Sequence, residues 1–201
     1  MYDVDLFEAP IAAIKAKGAK VVCYFSAGSS EDWRPDYGAF SSAVLGAPLQ
    51  GWPGERYLDI RSPAVRAVMA ARLDLAKSKG CDGVEPDNVD AYSNANGLGL
   101  TAANQLEYNR WLAAAAHARG LSVALKNDLD QVAALEPVFD FAINEECFAY
   151  NECNMLQPFL SANKAVFNAE YKGSPCAKAN AMNIDTILKN LSLDAKRTSC
   201  R

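Results

Sequence analysis

Short, continuous apolar runs alternate with amphipathic ones along almost all of this 201-residue sequence. Lys20 to Ser26 (KVVCYFS), Arg56 to Ile60 (RYLDI), the run around GVEPD at 83–87, Leu121 to Lys126 (LSVALK), Phe139 to Asn144 (FDFAIN) and Lys164 to Tyr171 (KAVFNAEY) each read as a strand. YDVDLF near the start reads as another, making seven. Runs that are apolar throughout suit strands covered on both faces, as in parallel sheets. Between them lie helix patterns with start and stop signals. Pro10 to Gly18 has proline in its first turn and a glycine stop. Ser62 caps a helix with the stripe Val65, Val68, Met69 and Leu73, which Gly80 ends. Thr101 caps the longest, whose stripe runs through Tyr108, Trp111, Leu112 and Ala115 to Gly120. Asp130 to Leu135, Leu156 to Ala162 and Ile184 to Leu191 read as shorter helices, and residues 30–54 as loop. This alternation means βαβ units and an α/β fold in one domain, 1–201. No G-x-G-x-x-G or G-x-x-x-x-G-K-S/T follows any strand, so a barrel is favoured over a doubly wound nucleotide-binding sheet.

Polar residues gather where the strands stop. Asp3 and Asp5 accompany the first, and Tyr24 and Ser26 end the second. Asp59 follows in RYLDI, Glu85 and Asp87 in GVEPDNVD, and Lys126, Asn127 and Asp128 in ALKND. Asn144, Glu145 and Glu146 close FAINEE, and Glu170 and Tyr171 close the last strand. Polar turns account for one or two such ends. Carboxylates at most of the seven ends, with Gly83, Glu85 and Asp87 sharing one parity, point to a shared site at the C-terminal face of a barrel.

Composition narrows the chemistry. The net charge is −4, from 24 acidic and 20 basic residues, and Lys and Arg form no cluster that would suit nucleic acid. No apolar run reaches the length of a membrane span, and the start MYDVDLFEAP has neither the basic nor the apolar region of a signal peptide. The single histidine, His117, falls on a helix, and no C-x-x-C pair occurs, so imidazole catalysis and a zinc site are not expected. Of six cysteines, Cys23 and Cys81 sit in apolar strand patterns and read as buried small hydrophobes. Cys147, Cys153, Cys176 and Cys200 crowd into the last third. Pairing Cys147 with Cys153 and Cys176 with Cys200 would imply an extracellular protein, and four reduced thiols are the alternative.

What remains is carboxylate chemistry. Two carboxyl groups in different surroundings serve as acid and as nucleophile or base in glycoside hydrolysis. Tyr24, Trp33, Trp52, Phe148, Tyr150 and Tyr171 are placed to stack on sugar rings or merely to pack loops. Two other classes stay open. One is a carbohydrate-binding barrel without catalysis. The other is a lyase or aldolase using a metal or a Schiff base on Lys126.

Taken in order, CYFSAGSSEDWRPDYGAF, GWPGERYLDIRS, GCDGVEPDNVDAY, VALKND and FAINEECFAYNEC resemble glycoside hydrolase family 114, the endo-α-1,4-polygalactosaminidases. The resemblance implies a (β/α)8 TIM-type barrel. The family's first strand has no counterpart ahead of YDVDLF, so a barrel lacking that strand is expected. It further implies Asp87 and Glu145 as the catalytic pair, assigned here as nucleophile and as general acid/base. Asp5, Tyr24, Ser26, Asp59, Glu85, Asn88, Asp90, Lys126, Asn127, Asn144 and Tyr171 become candidate substrate contacts. Lys126 equally serves to balance charge. The implied partner is a cationic, galactosamine-rich polysaccharide, which an acidic cleft would concentrate. No cofactor, metal, nucleic acid or membrane is expected, and the protein is expected to act as an extracellular monomer.

Overall fold

In the computed structural model, which describes residues 1–201, the chain is organised as two units, Met1–Ala124 and Leu125–Arg201. The first opens with β1 (Tyr2–Asp5) and α1 (Ile11–Lys15) and continues through β2 (Val21–Ser26), β3 (Ser29–Glu31), β4 (Leu45–Pro48) and β5 (Glu55–Leu58). Then come α2 (Pro63–Lys79), β6 (Gly83–Asp87), α3 (Ala102–His117) and β7 (Ser122–Lys126), whose last residues belong to the second unit. β1, β2, β6 and β7 are parallel neighbours in that order, with Val4 opposite Cys23, Tyr24 opposite Glu85 and Val84 opposite Val123.

The helices form where their signals stand. The Ser62 hydroxyl accepts the Ala64 amide, Pro63 occupies the first turn, and Gly80 ends α2 in the left-handed region at φ 82°. Val65, Met69, Leu73 and Ala76 are buried on one face, together with Arg72. Thr101 and Asn104 form a reciprocal capping box at the start of α3. Its buried face, Gln105, Tyr108, Asn109, Leu112, Ala113 and Ala116, is rotated from the expected stripe through Trp111 and Ala115. Each buried polar side chain there makes at least one bond, although Gln105 Oε1 has no partner. Gln105 donates to Asn109, Asn109 to the Val89 carbonyl, and the Tyr108 hydroxyl to the Ala27 carbonyl.

Two expected elements change in the first unit. RYLDI is not a strand of the parallel set. β5 pairs antiparallel with β3 and with β4 in a separate three-stranded sheet. Residues 30–54 are therefore not only loop. The chain enters this excursion past Gly28, where a Cβ would lie 1.7 Å from the Asn88 carbonyl oxygen, so only glycine fits.

The second unit contains α4 (Val132–Leu135), β8 (Phe141–Glu145), α5 (Cys147–Tyr150), α6 (Gln157–Ser161), β9 (Val166–Glu170), α7 (Cys176–Met182), β10 (Asp185–Lys189) and β11 (Arg197–Ser199). β8, β9 and β10 are parallel neighbours, and β11 adds antiparallel to β10. The end of β7 is tied to β8 by the Asn127 amide, which donates to the Ile143 carbonyl. The helix expected over Ile184–Leu191 is instead β10. The fold is thus mixed α/β, with its main strands predominantly parallel.

All six cysteines are paired. Cys147 bonds Cys153 and Cys176 bonds Cys200. Cys23 bonds Cys81, which overturns their reading as reduced hydrophobes. Both are buried, as that reading supposed, but β2 and the approach to β6 lie side by side and bring the two sulfurs together.

Candidate active site

Strand register builds the first unit's polar surface. Asp5, Tyr24 and Glu85 stand opposite one another across β1, β2 and β6, and Ser26 stands opposite Asp87. In a parallel sheet such register partners share a face. Asp5 accepts from Arg34 at 2.6 Å and from the Phe7 and Glu8 amides. Burial pushes the Asp5 carboxyl up, but the Arg34 bond and the two amides outweigh it and hold the group below its ordinary value. Arg34 also bonds Glu31 at 2.8 Å. Arg72, 1 % exposed, grips Asp36 with two bonds and donates to the Ser26 carbonyl at 2.6 Å, so α2 anchors the end of β2.

Ser26 is fully buried, and its side chain belongs to a hydrogen-bond chain. Its Oγ lies 2.6 Å from Ser29 Oγ and accepts from Asn88 Nδ2 at 2.9 Å. Ser29 donates to Glu55 at 2.6 Å. Ser26 therefore holds structure where a sugar contact was expected. Asn88 joins the same chain in the left-handed conformation, at φ 58°. Asp59 lies beyond β5, outside the parallel strand ends, and is bonded twice by Arg61, which lowers its pKa. The Asp90 carbonyl accepts from the Ser93 amide and hydroxyl in a single 3-10 turn.

In the second unit the ends of β7, β8 and β9 converge on Glu145. The Tyr171 hydroxyl donates to Glu145 Oε1, and Lys126 Nζ lies 3.8 Å from Oε2. Lys126 is 6 % exposed, so its charge acts in a poorly hydrated place. Burial first, and then the bond to Glu145, push the Tyr171 pKa up. The Asn127 side chain accepts the Glu145 amide at 3.0 Å. Asn144, 1 % exposed, donates to the Glu145 carbonyl and to Asn168, another internal role for an expected sugar contact. Asn168 in turn donates to Glu170, which also accepts the Phe148 amide. Asn144, Asn168 and Thr186 stand opposite one another across β8, β9 and β10. Immediately after Glu145, Glu146 turns left-handed at φ 58° and leads into the Cys147–Cys153 disulfide.

Ser29, Glu31, Arg34 and Glu55 in the first unit, and Asn168 in the second, were not expected at a site. Asn168 carried one signal, since VFNAE gives it the parity of Glu170. Trp33, Trp52 and Tyr150 are more than half exposed.

The model of glycoside hydrolase family GH114 matches residues 1–201. The crystal structure of Aspergillus fumigatus Ega3 in complex with galactosamine is similar over 99 % of this chain and 87 % of that one, with 42 % identity and a TM-score of 0.93. The glycoside hydrolase domain of PelA from Pseudomonas aeruginosa is similar over 94 % and 85 %, with a TM-score of 0.71, and at 14 % identity it speaks for the fold. An uncharacterized protein of Deinococcus radiodurans is 27 % identical over 206 residues, which span 90 % of this chain and 66 % of that protein.

Proposed function

This chain belongs to glycoside hydrolase family GH114, and on that premise we propose that it is an endo-acting glycosidase of α-1,4-linked galactosamine and N-acetylgalactosamine polymers. The observation that carries the substrate is the likeness, at 42 % identity, to a structure holding galactosamine. Free amino groups make such a polymer cationic. The half-buried or buried carboxylates Asp5, Glu85 and Asp87 of the first unit give it a reason to bind.

Asp87 attacks the anomeric carbon, and Glu145 gives a proton to the leaving oxygen and later takes one from water. A carboxyl separation of about 5 to 5.5 Å goes with this retaining course, and about 6.5 to 9.5 Å with inversion. Tyr171, Lys126 and Asn127 hold Glu145 in place. The ion pair with Glu145 favours charge balance over a Schiff base as the task of Lys126. Tyr24, Glu85, Asn88, Asp90 and Asn127 are the remaining proposed substrate contacts. The proposed frame is a (β/α)8-type barrel formed by residues 1–201, acting as an extracellular monomer without a cofactor. Three disulfides suit an oxidising compartment.

Incubation with partly deacetylated α-1,4-polygalactosamine tests this reading. New reducing ends and a ladder of internal oligomers are expected. Binding without new reducing ends would replace it with a carbohydrate-binding role, and borohydride trapping at Lys126 would replace it with Schiff-base chemistry.

A further inference from the structure

Glu31 and Glu55 face each other directly across β3 and β5, and they are only 2 % and 6 % exposed. Like charges opposite one another on antiparallel strands are destabilising, and burial makes the arrangement costlier. Arg34 compensates Glu31, and its other bond goes to Asp5. Glu55 receives a serine hydroxyl instead. Ser29 donates to Glu55 Oε2 at 2.6 Å, and Ser29 Oγ lies 2.6 Å from Ser26 Oγ. Asn88 Nδ2 reaches Ser26 Oγ at 2.9 Å and Ser29 Oγ at 3.3 Å.

The proton count gives this chain a direction. A serine hydroxyl has one proton. That of Ser29 goes to Glu55, so Ser26 donates to Ser29. Ser26 then accepts from the Asn88 amide and from the Ser29 backbone N–H at 3.1 Å. Every side-chain bond from Asn88 through Ser26 and Ser29 points toward Glu55. Asn88 follows Asp87 directly and holds φ 58°, a left-handed conformation that asparagine adopts more readily than most residues. Two fully buried serines and a buried carboxyl fix its side chain.

We propose that Glu55 is a positioning residue for the glycosidase reaction: through Ser29 and Ser26 it fixes Asn88, and with it the strand end that carries Asp87. The inference rests on the role proposed above for Asp87. Glu55 is faced by Glu31 on β3, by Arg34 in the turn after β3 and by Asp87 on β6. Burial pushes the Glu55 pKa up and the Ser29 bond pulls it down. The charges of Glu31 and Asp87 push it up and Arg34 pulls it down, with a net rise.

The test follows the Asn88 side-chain amide by NMR in the substrate-free protein, in wild type, Glu55→Gln, Glu55→Ala and Ser29→Ala. Glutamine keeps an acceptor for Ser29, so the Asn88 resonance stays near its wild-type position. Glu55→Ala and Ser29→Ala cut the chain, so the resonance moves. On polygalactosamine, Glu55→Ala and Ser29→Ala lower kcat by about 100-fold, the cost of a misplaced reacting group, with KM little changed, and Glu55→Gln keeps most of the rate. A purely structural Glu55 would change only the melting temperature. An unchanged Asn88 resonance in folded Glu55→Ala and Ser29→Ala overturns the proposal. If it moves while wild type cleaves nothing, the positioning stands and the proposed activity fails.

Discussion

The Tyr171 phenol donates to one oxygen of Glu145 while the Lys126 ammonium stands 3.8 Å from the other. The carboxyl group is thereby fixed from both sides, by residues at the ends of two different strands. Burial and the bond to Glu145 raise the Tyr171 pKa, so the phenol remains a donor through neutral and mildly alkaline pH. Removing one hydrogen bond costs about 0.5 to 1.5 kcal/mol, or roughly 2- to 10-fold in rate. Tyr171→Phe is expected to lower kcat by that factor with KM little changed. Steady-state kinetics at wild-type kcat would contradict it.

Asp82 ties the first unit together ahead of β6. It accepts from Lys15 at 2.7 Å, from Lys20 at 3.0 Å and from the Val21 amide at 3.0 Å. Burial pushes its carboxyl up, but the Lys15 bond, the Val21 amide and Lys20 together bring it down from 3.8 to about 2. A depressed folded value stabilises fully above the unfolded value and is lost as pH falls through the folded one. Asp82→Asn should therefore lower the melting temperature at neutral pH. The difference from wild type should shrink between about pH 4 and pH 2 and vanish below it, as thermal unfolding across that range would reveal.

The disulfides differ in the loops they close. Cys23–Cys81 spans 58 residues and Cys147–Cys153 only 6. Loop-closure entropy makes the longer bridge the larger contributor, at about 2 to 4 kcal/mol. The double variant Cys23→Ala/Cys81→Ala should lose about that much in chemical denaturation. Cys147→Ala/Cys153→Ala should lose less stability but more activity, because its bridge begins two residues after Glu145. Equal stability losses in the two variants would count against this ordering.

Arg72 is a fully buried cation of the first unit, bonded to Asp36 and to the Ser26 carbonyl and packed 5.3 Å from the Phe7 ring centroid. Arg72→Met should cost about 3 to 5 kcal/mol, since Asp36 is left without its partner. Adding Asp36→Asn should recover part of that loss, and a double-mutant cycle showing strict additivity would refute the coupling.

The strand-end pattern was readable because apolar runs end abruptly in Asp5, Ser26, Asp87, Lys126, Glu145 and Glu170, and those runs are parallel strands. β10 was misread for a physical reason. Ile184, Ile187, Leu188 and Leu191 carry helical spacing, and only β-branched Ile184, Thr186 and Ile187 hinted at a strand. The three residues of β3 are too few to show a period. With β3 unseen, its partner β5 looked like one more parallel strand, and the Ser29–Glu55 contact could not be foreseen. Cys23 shared its signature with any small buried hydrophobe, since Cys81 lies 58 residues away in sequence. Ser26 and Asn144, expected as substrate contacts, stand at the ends of β2 and β8. Local sequence could not show that the Ser26 hydroxyl and the Asn144 amide nitrogen would find partners inside the protein.

The most direct measurement compares wild type, Asp87→Asn and Glu145→Gln on partly deacetylated α-1,4-polygalactosamine, following new reducing ends and product masses, with circular dichroism as a check of fold. Wild type should release a ladder of internal oligomers. Each folded variant should lose at least about 1,000-fold in rate, the scale expected when one of two cooperating catalytic groups is removed. Wild-type rates in either variant would contradict the assignment of this catalytic pair.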